Sequence, residues 1–286
     1  MSDSVSDNPL THSDVCTPSY FSSLSSKYAL STGNSTTALF KSILPHIQSL
    51  HPITAASIVH DNAAGPGSAL AAILGFLPKE DWPRETLITD INEDMINNAK
   101  SIFKDVDGVD FQVLDSQHLP GLQEGHFTHS IMNISLFILS DPVEAISRVR
   151  TTLAPSGIAV FTNWFRFGAS HVMHAAQRAI RPDLPLIPVP SPESSDLEYL
   201  AGCAEKAGFA KGQIETFNKD VVVEEGKWLD GLRGLFGHSP LVAQAQTQWS
   251  DEEKSRWMGE IEKAIQQEIQ DHGGVYFEGA VLIVRK

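Results

Sequence analysis

The stretch IVHDNAAGPGSAL, residues 58–70, decides how the chain folds. Its first residues are apolar and β-branched, as in a buried strand, and its last residues open a helix. Between them the small residues Ala63, Gly65 and Gly67 allow the backbone to turn sharply and to pass close to a ligand. The helix start also presents N–H groups that lack partners. The stretch predicts a strand–turn–helix unit; taken alone, the turn is either a ligand-binding loop or simply a tight connection.

The residues downstream repeat this alternation of apolar strands and amphipathic helices. Because parallel neighbouring strands need a crossover helix between them, the alternation predicts an α/β fold with a doubly wound, mostly parallel sheet. Seven segments are predicted as strands: AASIVHD (55–61), TLITD (86–90), DFQVLD (110–115), FTHSIMNIS (127–135), GIAVFTNW (157–164), KGQIETFNKDVVVEE (211–225) and VYFEGAVLIVRK (275–286).

The charge and composition exclude several functional classes. The chain has 286 residues with 35 Asp and Glu against 21 Lys and Arg, so its formal charge of −14 disfavours nucleic acid and anionic membrane surfaces as partners. Two cysteines are too few for a disulfide scaffold or a zinc cluster. The polar, acidic start resembles no secretory or transit peptide, and no apolar run approaches the ~20 residues of a membrane span. We therefore expect a soluble, cytoplasmic protein.

Composition and rhythm also suggest how the chain is organised. Residues 1–17 are predicted to be a disordered tail and residues 18–286 a single domain. Within that domain, residues 18–50 are predicted to be helical. Residues 165–200 and 226–272 interrupt the alternation and are expected to form helical cap segments over the sheet.

Polar residues stand at the carboxyl ends of four predicted strands: Asp61, Asp90, Asp115 and Asn133. Asp90 follows Gly67 by 23 residues. In doubly wound sheets an acidic residue about 20 positions after the glycine turn bonds ribose hydroxyls. Any one of the four could be a helix cap or a turn residue. Their shared position at one sheet edge instead predicts a common ligand site.

The chemistry of this edge favours S-adenosylmethionine over NAD as the cofactor. The G-x-G-x-x-G fingerprint of dinucleotide sites is missing, and a pyrophosphate would be repelled by the nearby carboxylate of Asp61. A cofactor that combines a ribose with a positively charged group tolerates Asp61 well.

The sequence also resembles a known family. HDNAAGPGSAL, ITDINEDMINNA, VLDSQHLP, FTHSIMNISLFIL and RTTLAPSGIAVFTNW are similar to the successive motifs of class I S-adenosylmethionine-dependent methyltransferases. The type is that of fungal natural-product enzymes related to the ubiquinone-biosynthesis methyltransferases, and YFSSLSSKYALSTGNSTT, RPDLPLIPVP and VYFEGAVLIVRK also look like that group. The resemblance covers roughly residues 18–286; Ala63 departs from it, since the family usually has Gly there. It implies a Rossmann-like seven-stranded sheet with an antiparallel last strand, a helical lid over residues 18–50 and helical cap insertions.

The resemblance further implies which residues bind the cofactor. The implied roles are the methionine end for Asp61, Asn62, Ala63, Gly65 and Gly67; the ribose for Asp90; the adenine for Ile91, Met95, Asp115, Ser116 and Gln117; the sulfonium side for Asn133 and Ser135; and the lid for Tyr20, Tyr28 and Thr32. Each tyrosine is as well explained by ordinary packing.

Methyl transfer needs alignment more than acid–base chemistry, so a catalytic residue is not mandatory. His171 and His174 lie three residues apart and hence on one helix face, which makes them candidate bases. No carboxylate accompanies the pair in the sequence, and we expect no metal site.

Four aromatic residues are predicted to line an apolar substrate pocket or, alternatively, to form the core of the cap: Trp164, Phe165, Trp228 and Phe236. The expected activity is methyl transfer to a small hydrophobic metabolite by a monomer or homodimer. Three alternatives stay open at this point: a non-methylating rearrangement or cyclisation by the same fold, a non-catalytic regulatory protein, and an NAD-dependent oxidoreductase.

Overall fold

The computed structural model describes residues 17–188 and 196–286. The predicted disordered tail therefore lies, except for Thr17, outside the described residues. Seven strands form one sheet in the order β3-β2-β1-β4-β5-β7-β6. The strands are β1 Ile58–Asn62, β2 Glu85–Asp90, β3 Val109–Val113, β4 Phe127–Asn133, β5 Leu153–Arg166, β6 Ile214–Val223 and β7 Val275–Arg285.

The strand pairing confirms the predicted fold. β1 pairs in parallel with β2 and β4, and the parallel set extends to β3 on one side and β5 on the other. β7 is inserted antiparallel between β5 and β6, as the resemblance implied. The result is a mostly parallel, Rossmann-like sheet of seven strands.

Helices cover both faces of the sheet. One apolar cluster joins the helices Ser35–Leu50 and Ser68–Phe76 to one face, and another joins Pro142–Thr152 and Leu197–Lys206 to the opposite face. In chain order the helices are α1 Pro18–Leu24, α2 Tyr28–Ser31, α3 Ser35–Leu50, α4 Ser68–Phe76, α5 Glu93–Ile102, α6 Pro142–Thr152, α7 Gly168–Ile180, α8 Leu197–Lys206, α9 Lys227–His238, α10 Pro240–Ala245 and α11 Asp251–His272.

The predicted lid divides into two parts with different environments. α3 buries seven residues, among them Phe40, Ile43 and Leu44, and packs against the sheet. Only the shorter stretch from α1 to α2 lies at the edge of the sheet, where it contacts α5 and α9. Of the predicted lid over residues 18–50, the stretch before α3 is the part that lies outside this packing; the lid itself stays a prediction.

The cap segments share one apolar cluster with the ends of β5, β6 and β7. α7, α9 and α11 bury apolar side chains together, and Trp257 on α11 donates its indole N–H to the carbonyl of Phe236 on α9 at 2.8 Å. Of the predicted cap segment 165–200, residues 189–195 lie outside the described residues. Residues 197–200 begin α8, which covers a sheet face instead.

The segment APSG, residues 154–157, is incorporated into β5. β5 begins at Leu153, opposite Phe127, and the register then shifts before His129 pairs with Ile158. Ser156 adopts a left-handed backbone with φ of 66° within this irregular stretch. The segment therefore forms an irregularity in the strand pairing, like a β-bulge.

Candidate cofactor site

A cavity of about 270 Å³ opens at the carboxyl ends of β1, β2 and β4. Connections run to opposite sheet faces after β1 and β4, and open α/β sheets bind ligands at this kind of switch point. Twenty residues line the cavity: Phe21, Tyr28, Thr36, Ala63, Ala64, Gly65, Ser68, Asp90, Ile91, Asn92, Met95, Asp115, Ser116, Gln117, Asn133, Ile134, Ser135, Ile138, Leu139 and Ser140.

The turn after β1 forms the floor of the cavity through an unusual backbone. Ala63, Gly65 and Gly67 all have positive φ angles, of 50°, 55° and 85°. A Cβ atom on Gly67 would also overlap the ring of Phe103 behind the turn. Glycine at 67 is therefore required twice, for conformation and for space. Alanine at 63 adopts the left-handed region at a cost of roughly 1–2 kcal/mol.

Asp90 closes the turn from β2. One carboxylate oxygen accepts a hydrogen bond from the N–H of Gly65 and the other from the N–H of Asn92, both at 2.8 Å. Burial raises the pKa of this carboxyl above its ordinary value, against the lowering effect of the two N–H groups. The carboxylate is thus held in place while its remaining lone pairs face the cavity.

Asp61 lies behind the wall of the cavity instead of in it. Its side chain is fully buried, and one oxygen accepts from the N–H of Leu70 in α4 at 3.0 Å. The other oxygen has no hydrogen-bond partner among the described residues. Burial, aided by the negative charge of Asp90, raises the pKa of Asp61 to about 7, although the Leu70 N–H opposes the rise.

A buried chain of hydrogen bonds fixes the direction in which the hydroxyl of Ser116 donates its hydrogen. Ser116 and Thr89 both donate hydroxyl hydrogens to the amide oxygen of Asn62, at 3.0 and 3.1 Å. Thr89 in turn contacts Nε2 of His60 at 2.9 Å. Because a hydroxyl has one hydrogen, Ser116 presents only acceptor lone pairs to the cavity.

Asp115 and Gln117 organise the rim beside Ser116. Burial raises the pKa of Asp115, but the N–H of Gln117 and the His118 ring outweigh it, and the net pKa lies below the ordinary value. Asp115 is therefore ionised at neutral pH. The amide oxygen of Gln117 accepts from the hydroxyl of Ser140 and the N–H of Asp141, which secures the loop after β4.

The opposite wall is built from the end of β4. Ile134 has a left-handed backbone with φ of 58°, which is an outlier for a β-branched residue and costs roughly 1–2 kcal/mol. The hydroxyl of Ser135 is buried and has no partner among the described residues. A buried polar atom that faces a cavity without a partner fits a polar ligand group there.

Residues from the N-terminal helices complete the cavity. Phe21 and Tyr28 line it from α1 and α2, and Thr36 from the start of α3. Ser22 contacts Asn92 through side-chain hydrogen bonds of 3.0 and 3.4 Å and ties α1 to the start of α5.

The cavity contains eleven of the sixteen residues predicted to bind the cofactor. Five do not line it: Tyr20, Thr32, Asp61, Asn62 and Gly67. Thr32 donates its hydroxyl hydrogen to the carbonyl of Tyr28 within the helical segment, and Tyr20 packs edge-on against Phe21. Asn62 and Gly67 shape the wall from behind.

Nine lining residues were missed by the sequence analysis. Phe21, Thr36 and Asn92 each lie next to, or one helical turn from, a predicted residue, so helical periodicity could have suggested them. The apolar loop residues Ile138 and Leu139 gave no signal, because their position depends on how the loop after β4 folds back.

The predicted catalytic and substrate residues lie outside the cavity. His174 bonds the carbonyl of Ile187 at 2.7 Å, and His171 is exposed on α7 near Arg166 and Glu268. Trp164 and Phe236 are 4% and 0% exposed in the cap core, where Trp228 also packs, and Phe165 is half exposed. For Trp164, Trp228 and Phe236, the packing corresponds to the alternative of a cap core.

Within the described residues, no group of three or more His, Cys, Asp or Glu side chains is arranged to hold a metal ion. In the same part of the chain, none of the helices has the length and apolar character needed to cross a membrane.

A comparison with known protein families decides what this site belongs to. Residues 61–161, from the end of β1 into β5, match the family described as Methyltransferase domain. This matched segment is therefore an S-adenosylmethionine-dependent methyltransferase domain. The matched segment contains the turn, Asp90, Asp115 and the end of β4, which are the parts that form most of the cavity.

Solved structures share the fold of this methyltransferase domain. A chain of the complex between a Haloferax volcanii methyltransferase activator and a candidate methyltransferase is 16% identical, with a TM-score of 0.53 over 92% of this chain and 96% of that chain. A candidate methyltransferase from Bacillus halodurans is 15% identical, with a TM-score of 0.50 over 86% of this chain and 99% of that chain.

A third likeness is a Haemonchus contortus phosphoethanolamine N-methyltransferase in complex with phosphomonomethylethanolamine and S-adenosylhomocysteine. It is 15% identical, with a TM-score of 0.51 over 86% of this chain and 52% of that chain. At such identities these likenesses concern the fold.

Proposed function

We propose that this methyltransferase binds S-adenosylmethionine in the cavity at the sheet edge and methylates a hydroxyl, thiol or similar nucleophile of a small hydrophobic metabolite. The observation that carries the proposal is Asp90, whose carboxylate is fixed by two backbone N–H groups at the rim of the left-handed turn. A fixed carboxylate beside a glycine turn is suited to ribose hydroxyls.

The other lining residues fit the remaining parts of the cofactor. Ile91, which is 61% exposed, and the buried Met95 offer apolar surface for a purine ring on one side of the cavity. Asp115 and Ser116 offer acceptors for an exocyclic amine, since the Ser116 hydroxyl hydrogen is already bonded to Asn62. Asp61, behind the wall of the cavity, adds negative charge near the methionine end when it is ionised.

The electrostatics of the cavity suit a cation. Its charged lining residues are Asp90 and Asp115, and no Lys, Arg or His lines it among the described residues. When bound, S-adenosylmethionine supplies a methyl group activated by the positive charge of its sulfonium. Asn133, Ile134 and Ser135 would align this end against the substrate, and alignment can contribute roughly 7–11 kcal/mol to such a transfer.

The lining also bears on the substrate. Without a His or Lys at the cavity, a nucleophile that ionises easily, such as a thiol or a phenol, fits better than an aliphatic alcohol. The apolar side chains of Phe21, Ile138 and Leu139 favour a hydrophobic molecule. The sequence resemblance extends the proposal to fungal secondary metabolism in the cytoplasm, with residues 18–286 as one domain in a monomer or homodimer.

Calorimetry tests the proposal. We expect S-adenosylmethionine and S-adenosylhomocysteine to bind the full chain, and Asp90→Asn to weaken both by about tenfold or more, equivalent to at least ~1.4 kcal/mol. Asp94→Asn is the matched control, because Asp94 is exposed on α5 and does not line the cavity. Equal binding by the two variants would contradict the assignment.

The reaction itself is tested by incubating the protein with labelled cofactor and a panel of thiols, phenols, carboxylic acids and amines. A product heavier by one methylene supports methyl transfer. A changed product of unchanged mass would point to rearrangement or cyclisation, and cofactor binding without any product in the panel would favour a regulatory role.

A further inference from the structure

Thr162 lies behind the cavity wall and takes part in three hydrogen bonds that shape it. The N–H of Ile134 donates to both the carbonyl and the hydroxyl oxygen of Thr162, each at 2.9 Å. The Thr162 hydroxyl donates in turn to the amide oxygen of Asn133 at 2.7 Å. Thr162 is 1% exposed and does not itself line the cavity.

These bonds act on a segment that holds an unfavourable backbone. Ile134 is β-branched and left-handed, a conformation that persists only when the surroundings enforce it. The carbonyl and hydroxyl oxygens of Thr162 both accept from the N–H of Ile134 and hold it in this conformation. The left-handed turn directs Ser135, whose buried hydroxyl lacks a partner among the described residues, toward the cavity.

The same hydroxyl also fixes Asn133. With its amide oxygen engaged by Thr162, Asn133 donates its amide N–H to the carbonyl of Thr36 at 3.1 Å. This bond links the end of β4 to the start of α3, and both Asn133 and Thr36 line the cavity. One buried hydroxyl therefore sets three consecutive lining residues and their contact with α3.

We propose that Thr162 is a positioning residue for cofactor binding, because its hydroxyl holds Ile134 in the left-handed turn and thereby sets the Asn133–Ser135 wall. The inference rests on the proposed function, since it assumes that the cavity takes S-adenosylmethionine. It adds a role for a residue that does not touch the ligand.

Thr162→Val removes the hydroxyl at nearly constant volume, and Thr162→Ser keeps it. Glycine adopts a left-handed backbone without help, so in an Ile134→Gly protein the Thr162 hydroxyl is needed only for Asn133. We expect Thr162→Val to raise the Kd for S-adenosylhomocysteine about tenfold, Thr162→Ser to change it less than threefold, and Thr162→Val to change it less than threefold when Ile134→Gly is present.

Thr152→Val is the matched control. Thr152 is also buried, and its hydroxyl bonds the carbonyl of Val149 at the end of α6, away from the cavity. All Kd values are measured well below the thermal midpoint of each variant, so that a loss of folded protein is separated from a loss of affinity.

The outcomes distinguish the two proposals. If the natural sequence fails to bind S-adenosylhomocysteine or S-adenosylmethionine, the proposed function falls and this inference with it. If it binds but Thr162→Val lowers only the thermal midpoint, or raises Kd by the same factor with and without Ile134→Gly, Thr162 has a merely structural role and the inference is overturned.

Discussion

Asp61 is the buried carboxyl group whose protonation we expect to respond to the proposed cofactor. Its carboxyl is buried, has one N–H partner, and has its pKa raised to about 7 by burial and by the neighbouring charge of Asp90. At neutral pH a substantial share of the protein therefore carries a protonated Asp61. A cation bound nearby favours the ionised form, so binding of S-adenosylmethionine releases a proton.

We predict that the affinity for S-adenosylmethionine rises as pH increases from 5.5 to 8, because less work is then needed to ionise Asp61. Asp61→Asn flattens this dependence. Calorimetric titrations in buffers of different ionisation enthalpy measure the released proton directly. A pH-independent affinity in the natural sequence, or an equal slope in the variant, would contradict this role for Asp61.

At the residue scale, the sequence limits the choice most where the backbone geometry is special. Gly67 needs a left-handed backbone and free space, and Asp90 ends a strand at a fixed distance from it. Expectations were off by a neighbour or a helical turn where only helical phase decides: Phe21 lines the cavity instead of Tyr20, and Thr36 instead of Thr32. The spacing of residues in the sequence does not determine how a short helix is rotated about its axis, and this rotation decides which residue faces the cavity.

Among the elements, the turn between β1 and α4 carries a built-in comparison of two glycines. Gly67 has a left-handed backbone, and the ring of Phe103 occupies the space that a side chain at position 67 would need. A Cβ on Gly75, near the end of α4, would have no neighbour within 4 Å. We predict that Gly67→Ala destabilises the fold by roughly 2 kcal/mol or more. Gly75→Ala is expected to stabilise it by about 0.5–1 kcal/mol.

Urea unfolding of the two variants checks this pair of predictions. The free energy of unfolding is expected to fall in Gly67→Ala and to rise in Gly75→Ala. Similar midpoints for both variants would show that the left-handed turn contributes nothing special to stability.

The contact between α2 and α9 tests whether the cap supports the lid. Gly231 lies so close to Leu30 that a Cβ would overlap the carbonyl oxygen of Leu30, while Gly234, one turn further, has nothing within 4 Å. α2 also carries Tyr28, which lines the cavity. We predict that Gly231→Ala displaces α2 and raises the Kd for S-adenosylhomocysteine severalfold, and that Gly234→Ala leaves it unchanged.

Calorimetry with both glycine variants measures this effect. If they bind equally well, the cap and the lid are independent, and the role of Tyr28 in closing the cavity has to be reconsidered.

At the scale of the whole molecule, buried imidazoles set the response to acid. Burial lowers the pKa of His60 to about 3 and that of His129 to about 4. Nε2 of His129 lies 3.1 Å from Nδ1 of His51. Between these values and the ordinary 6.5 the unfolded chain binds more protons than the folded one, so stability falls as pH drops from 6.5 toward 4. Asp61 acts in the opposite direction, because its folded pKa is raised.

We predict that unfolding midpoints in urea decrease between pH 7 and pH 5. In His129→Gln the dependence of the unfolding midpoint on pH should be weaker, because one fewer group takes up a proton on unfolding. A midpoint that is constant or rises on acidification would show that the carboxyl groups outweigh the two histidines.

The topology could be predicted from the sequence and the cap could not. Strand–helix alternation with β-branched apolar runs leaves few arrangements for residues 55–164, and the structure has the expected one. By composition, Trp164 on β5 and Phe236 on α9 suit a pocket and a core equally well. Only the packing of α7, α9 and α11 against one another and against β5, β6 and β7 shows that these side chains lie in a core.

A crystal structure of the full chain with S-adenosylhomocysteine tests the proposed cofactor site most directly. We expect the ribose hydroxyls within hydrogen-bond distance of the Asp90 carboxylate, the purine between Ile91 and Ser116, and the sulfur beside Asn133–Ser135. A nucleoside bound elsewhere on the molecule, or a purine at the β4 end with no contact to Asp90, would contradict it.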